Sequence, residues 1–295
     1  MTKHSRRTAT VLLRLALCAL LMSMLLAPTV DDDAQWNEPR IVMRNVPVGV
    51  HSLDELSAAF GHIVSDVEAA GKVRLRNGTL VESSEWAGLK IESLASTIAA
   101  LQAEAHAEFG ALRATFFSKP NALTDQVFPH RLVDRLPALL SPLNGFSLWL
   151  RRVARGEQGN AVGWHAHPDA GLYLQLIGTK TFLYVRAEDW KRTPGWELDV
   201  NFPLVFANES HAAFAPASPL VRSITVHPGD VLFQPSWVMH RLDYPAQRAG
   251  EFASLRFGFV PLQALWAQPW LLALSMRGYA RVGGQVALQR LRACL

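Results

Sequence analysis

Between Phe146 and Val260 the chain is a series of short apolar runs broken by glycine, proline and asparagine, and this texture restricts the fold most. The runs are Phe146–Val153, Gly171–Ile177, Thr181–Val185, Val221–Val226, Val231–Gln234 and Phe252–Val260. Each suits a strand better than a helix, and the turns recur as they do in an antiparallel sandwich or barrel. Helical patterns flank this region. Leu53, Leu56, Ala59, Phe60, Ile63 and Val67 recur at three and four residues behind a Ser52/Glu55 capping box, which predicts a helix from Ser52 to Gly71. A second helical pattern, over 87–115, carries Leu89, Ile91, Leu94, Ile98, Leu101, Ala105 and Phe109. A short helix is expected over 131–140, stopping before Pro142, whereas residues 31–50 read as extended. After Pro261, Leu262, Leu265, Trp266, Trp270, Leu271 and Leu274 give a helical tail, which packs on the barrel or on a second chain. The division is therefore a leader (1–30), a helical and extended section that packs on the barrel (31–145), the barrel (146–260) and the tail (261–295).

Apolar residues make up 49% of the 295 and charged residues 18%, so a sizeable core is expected and general disorder is excluded. The net charge of +4 collects at the two ends, with Lys3, Arg6, Arg7 and Arg14 at one and Arg277, Arg281, Arg290 and Arg292 at the other. No basic stripe is interleaved with aromatics, so no nucleic-acid partner is expected. The two cysteines, Cys18 and Cys294, form no CxxC, which excludes a thiolate zinc site. If the leader is removed, Cys294 is free or joins a second chain as a homodimer. Residues 1–30 hold no acid, start basic and continue through Val11–Leu26, which is apolar except for Arg14 and Ser23. This describes a signal peptide or an uncleaved signal-anchor of the secretory pathway, with the membrane as partner in the second case; a mitochondrial presequence is the alternative. The sequons Asn77-Gly78-Thr79 and Asn208-Glu209-Ser210 fit a lumenal or secreted location.

The chemistry concentrates in Trp164-His165-Ala166-His167-Pro168-Asp169. On a strand His165 and His167 project to one side, and Pro168 holds His167 in the β region. Asp169 follows at a turn, within reach of the same place. One strand cannot surround a metal, and the distal ligand expected is His240. It follows a Pro228-Gly229-Asp230 turn, the strand Val231-Leu232-Phe233 and the stop at Pro235. Two histidines and a carboxylate with open positions are the geometry of non-haem Fe(II) oxygenases. Lys180, just past Gly178, reads either as a solvated hairpin residue or, inside a barrel, as an ammonium for a carboxylate cosubstrate. Trp149, Tyr173 and Gln175 are candidates for the barrel mouth, with barrel filling as the other reading of the aromatics. Arg256 is a second carboxylate holder or an outward strand charge.

These residues resemble the JmjC-type and cupin-like 2-oxoglutarate oxygenases. The family pattern is a turn, H-x-D, an apolar run ending in Q-x-x-G-x-K, then P-G-D, an apolar strand, a proline and W-x-x-H. Here Gly159-Asn160, His165, Gln175, Gly178 and Lys180 match, as do Gly229, Asp230, Val231, Leu232, Pro235, Trp237 and His240. The resemblance covers about residues 146–260. It implies a mainly β fold with flanking helices, a double-stranded β-helix (jelly-roll or cupin barrel). It also implies Fe(II) held by an H-x-D…H set, and 2-oxoglutarate anchored by Lys180 while a second substrate, a protein side chain or a small molecule, is oxidised. The chain departs from the family where His167 stands in the carboxylate position. A three-histidine set of His165, His167 and His240 keeps the spacing to Lys180 ungapped and is favoured. The other choice takes His167-Pro168-Asp169 as the H-x-D and makes Asp169 a ligand. A non-catalytic metal- or ligand-binding cupin barrel is the alternative function. The 186–220 segment, with Trp190, Trp196 and Phe202, is the place expected to read the second substrate.

Overall fold

The computed structural model describes residues 38–69, 71–74, 80–83, 90–103, 111–117, 119–135, 145–153, 163–167, 169–199, 204–208, 210–244 and 250–259, all within one unit, Glu38–Leu295. The leader (1–30) and the helical tail (261–295) lie outside the described residues. Among the described residues no helix is long and apolar enough to cross a membrane.

The fold is mainly β, built of antiparallel sheets with a few flanking helices. An eight-stranded sheet contains β1 (Arg40–Met43), β2 (Val64–Ala69), β5 (Lys90–Ser93), β6 (Ala111–Phe117), β7 (Gly145–Val153), β9 (Ala170–Ile177), β14 (Val231–Gln234) and β16 (Gly250–Phe259), in the order β1-β14-β9-β16-β7-β6-β2-β5. A six-stranded sheet contains β8 (His165–Ala166), β10 (Lys180–Val185), β11 (Trp196–Asp199), β12 (Leu204–Ala207), β13 (Arg222–Val226) and β15 (Met239–Asp243), in the order β11-β12-β8-β15-β10-β13. A separate hairpin joins β3 (Gly71–Arg74) and β4 (Leu80–Ser83).

The two large sheets face one another, because Phe182, Tyr184 and Val226 of the smaller sheet share a buried cluster with Leu232 and Tyr173 of the larger. Alternation then divides each strand of the larger sheet. Leu148, Leu150, Leu174 and Leu255 carry its outer face and are fully buried. Helices α1 (Leu53–Phe60) and α2 (Leu94–Ala103) cover that face with Leu53, Leu56, Leu94, Ile98 and Leu101. Two polar contacts fix them there: Leu53 N–H donates to Glu251 Oε2 at 3.0 Å, and Arg152 Nη1 donates to the Gln102 carbonyl at 2.7 Å. The inner face keeps Ser147, Trp149, Tyr173, Gln175, Ser254 and Arg256, which the register sets side by side.

The section before residue 145 differs from its helical reading. The helix expected from Ser52 to Gly71 is only the eight-residue α1, capped by Ser52 Oγ accepting from Glu55 N–H. It ends at Gly61, where a Cβ would meet the Ser57 carbonyl at 2.3 Å and Ala95 of α2 at 2.9 Å. The chain then turns into β2. The 87–115 pattern splits into β5, α2 and β6, and the described part of 131–140 forms a 3-10 turn, His130–Arg135. Four strands from this section (β1, β2, β5, β6) thus extend the large sheet.

Gly178 turns β9 into β10 with φ +74, and a Cβ there would meet the Glu251 carbonyl at 2.5 Å. A left-handed conformation alone costs an ordinary residue about 1–2 kcal/mol. Gly178→Ala is therefore expected to lower stability by at least ~2 kcal/mol in urea denaturation, with the m-value unchanged.

Candidate metal centre

His165 and His240 face each other across β8 and β15 in direct register. Their ring centroids are 4.2 Å apart, and the His167 ring lies 5.1 Å from His240 and 5.8 Å from His165. One ring nitrogen from each of the three lies within 4.8 Å of the others.

Which nitrogens converge follows from the hydrogen bonds. His165 Nδ1 is 2.9 Å from the Gly163 carbonyl, and His240 Nδ1 is 2.9 Å from the Val238 carbonyl. His167 Nδ1 is 2.9 Å from the Asp169 carbonyl and 2.8 Å from its Oδ1. A carbonyl or carboxylate oxygen accepts only, so Nδ1 carries a proton in each ring and Nε2 is the nitrogen left for a metal. Metal-binding histidines make this same outer bond. Burial, followed by repulsion from His167, lowers the pKa of His165 from 6.5 to about 4. Burial, with His165 and His167 beside it, also holds His240 well below its ordinary value. Three convergent imidazoles, two of them held neutral by burial, suit a divalent transition ion, so the donor set fits a metal.

Asp169 sits beside this group, bonded to His167 and to Arg256 Nη2. Burial pushes its pKa up, but Arg256 and His167 outweigh that and hold the carboxyl far below the usual carboxylate range. The carboxylate is thereby occupied in orienting His167. Arg256 lies over the Tyr173 ring, 5.4 Å from its centroid. Room for the guanidinium comes from Gly171 and Gly258, paired across β9 and β16, where a Cβ would approach it to 2.9 Å and 2.6 Å.

Lys180 occupies the inner face of β10 with Phe182 and Tyr184, two and four residues on. Phe182 stacks on His240 at 5.3 Å, which puts the ammonium and the imidazoles on one wall of the interior. Lys180 is 2% exposed. Its Nζ donates to Ser254 Oγ at 2.6 Å, and that hydroxyl donates to Gln175 Oε1 at 2.6 Å. Gln175 Nε2 in turn donates to the Ile177 carbonyl at 2.7 Å. No carboxylate among the described residues pairs with Lys180, and burial lowers its pKa from 10.5 to about 7.

Among the other sequence candidates, Trp149 donates to Ser147 Oγ at 3.1 Å and packs edge-on against Phe116. Trp190, expected among the substrate readers, is instead fully buried and donates to the Trp237 carbonyl at 2.7 Å. Trp196 packs edge-on against it, and Phe202 lies outside the described residues. Three participants escaped the sequence reading of the site: Ser254, Gln234 and the turn geometry of Trp237. Gln234 had a signal, being a polar residue on the same side as Leu232 in a four-residue strand that is buried throughout.

Two expectations follow. Between about pH 7 and 10.5 the unfolded chain holds one more proton at Lys180 than the folded chain, so stability rises with pH there, by at most about 1.4 kcal/mol per unit. Denaturation of Lys180→Met across that range should lack this slope. Asp169→Asn should weaken metal binding roughly 10- to 100-fold in a chelator competition, because His167 loses its carboxylate acceptor and Arg256 its counter-charge.

No family model matches the chain, and no curated protein matches it. Among solved structures it is similar to ycfD of E. coli, at 15% identity and a TM-score of 0.42, over 77% of this chain and 51% of that one. The chain thus spans about half the length of that structure, and a likeness of this size supports no statement about family or activity.

Proposed function

We propose that the protein is an Fe(II)- and 2-oxoglutarate-dependent oxygenase built on a double-stranded β-helix, most simply a hydroxylase. In this reading His165, His167 and His240 hold the iron through Nε2, and Lys180 takes the distal carboxylate of 2-oxoglutarate. The observation that carries it is a buried lysine amine, with no carboxylate partner among the described residues, on the same inner wall as three convergent imidazoles. A charge left so deep is costly unless an anion joins it. Iron, when bound, supplies the binding and activation of O₂.

The chain's own residues bind, orient and exclude. Lys180 Nζ, held by Ser254 and Gln175, presents a donor to the far end of a five-carbon diacid; with a pKa near 7 it takes up its proton as the dianion arrives. Phe182 and Tyr173 wall the space between ammonium and imidazoles and limit water there. Arg256 and Asp169 hold His167 in one orientation. A second reading, a barrel that binds metal and ligand without catalysis, draws on the histidine at the family's carboxylate position and on Asp169 being engaged elsewhere.

Anaerobic reconstitution with Fe(II), followed by O₂ and 2-oxoglutarate, tests the first reading. Turnover to succinate is expected, and His240→Ala should reduce it by more than ~100-fold, beyond what loss of an outer-shell partner does. Lys180→Met should raise KM for 2-oxoglutarate roughly 10- to 100-fold, the worth of one charge-assisted hydrogen bond. Iron uptake with no turnover favours the binding barrel, and no iron uptake rejects both readings.

A further inference from the structure

Gln234 stands in the site without a part in the reading above. It ends β14 on the inner face opposite Gly171 and is 1% exposed. Its Nε2 lies 3.1 Å from His167 Nε2, and its Oε1 is buried with no hydrogen-bond partner among the described residues. His167 Nδ1 donates to Asp169, so the nitrogen that Gln234 faces is Nε2, the one left for a cation. A half-turn about χ3 exchanges the two ends of a carboxamide with almost no change of shape. That turn leaves Oε1 about where Nε2 now stands. Two ligands at right angles on one transition ion, each ~2.1 Å from it, are ~3.0 Å apart. The amide therefore already stands at ligand-to-ligand spacing from His167, and the turn would bring its oxygen to the ion while its NH2 takes the oxygen's present place.

We propose that Gln234 is a fourth protein ligand of this centre, a neutral amide oxygen beside three imidazoles that yields its position to an incoming anion. The proposal rests on the reading of the three histidines as a metal site. With Asp169 held by Arg256, all four protein ligands are neutral. The ion keeps its full double charge and draws an anionic cosubstrate strongly. The amide is the weakest donor of the four, and so it is the group displaced when a chelating acid arrives. Gln234 would then fill one of the three positions that the histidines leave on a six-coordinate ion, and that position is freed as the cosubstrate binds.

The test is Co(II) affinity of the full chain, by competition with a chromogenic chelator and without any 2-oxoacid. Gln234→Met, which keeps volume but has no oxygen, should bind about 10- to 100-fold more weakly than wild type. Gln234→Glu, which keeps a ligating oxygen, should bind within about 3-fold of wild type or more tightly. Equal or tighter binding by Gln234→Met would overturn the proposal, since the amide would then be a competitor for His167. Equal losses in both variants would also overturn it, as the mark of a packing role. A wild-type chain that takes up no Co(II) instead defeats the metal reading itself. Should the variants fail to fold, the wild type decides: the Gln234 side-chain carbonyl ¹³C resonance should shift on adding Zn(II), and an unmoved resonance rejects ligation.

Discussion

Each imidazole of the triad spends its Nδ1 proton on an oxygen fixed by nearby backbone, and the rest of the site depends on that constraint. His165 uses Gly163 and His240 uses Val238, each two residues earlier in the chain, so one short local bond sets tautomer and ring direction together. His167 uses Asp169, two residues later. The rings are thereby held in place by the chain's own hydrogen bonds, and little reorganisation remains for an ion to impose. The low dielectric that makes this arrangement useful also holds His165 and His240 neutral, so the cluster does not repel itself.

The charge arrangement follows from where the carboxylate of Asp169 is spent. In a facial set with a carboxylate, the protein cancels part of the ion's charge. Here Asp169 is matched by Arg256 instead, in a space cleared by Gly171 and Gly258. The ligands left for a cation are neutral, and Lys180 adds a second positive centre on the same wall. Two positive centres in one dry interior complement a dianion with a charge at each end, which is the electrostatic content of the 2-oxoglutarate proposal.

Much of this was legible from local chemistry. The H-x-H spacing, the Pro-Gly-Asp turn and the distance from Gly178 to Lys180 are short-range features, and short-range features survive translation into a sheet. What was not legible depends on neighbours distant in sequence. Whether Arg256 turns out or in is decided by Asp169, 87 residues away, together with two glycines. Phe60, Ile63 and Val67 read as one helical face because three- and four-residue spacing also occurs across a helix–strand junction; only the contact of Gly61 with α2 places the break. Ser254 and Gln234 are neutral polar residues inside apolar runs, and nothing in composition marks them until their partners, Lys180 and His167, come alongside.

The tryptophans of the smaller sheet explain how two distant arms of the site keep their spacing. Trp237 adopts φ +60, unusual for a bulky residue and of order 1–2 kcal/mol unfavourable. That conformation lets its N–H donate to the His167 carbonyl at 2.8 Å while its own carbonyl accepts from Trp190 at 2.7 Å. The ring is buried with Trp164, Trp190 and Phe214, and this burial offsets the backbone strain. His240 lies three residues on, so the turn that sets its approach is tied directly to the backbone of His167. Trp190, expected at the surface, is instead buried and fixes the separation of His167 and His240 through the Trp237 turn. The segment around it is therefore part of the scaffold that holds the histidine cluster together.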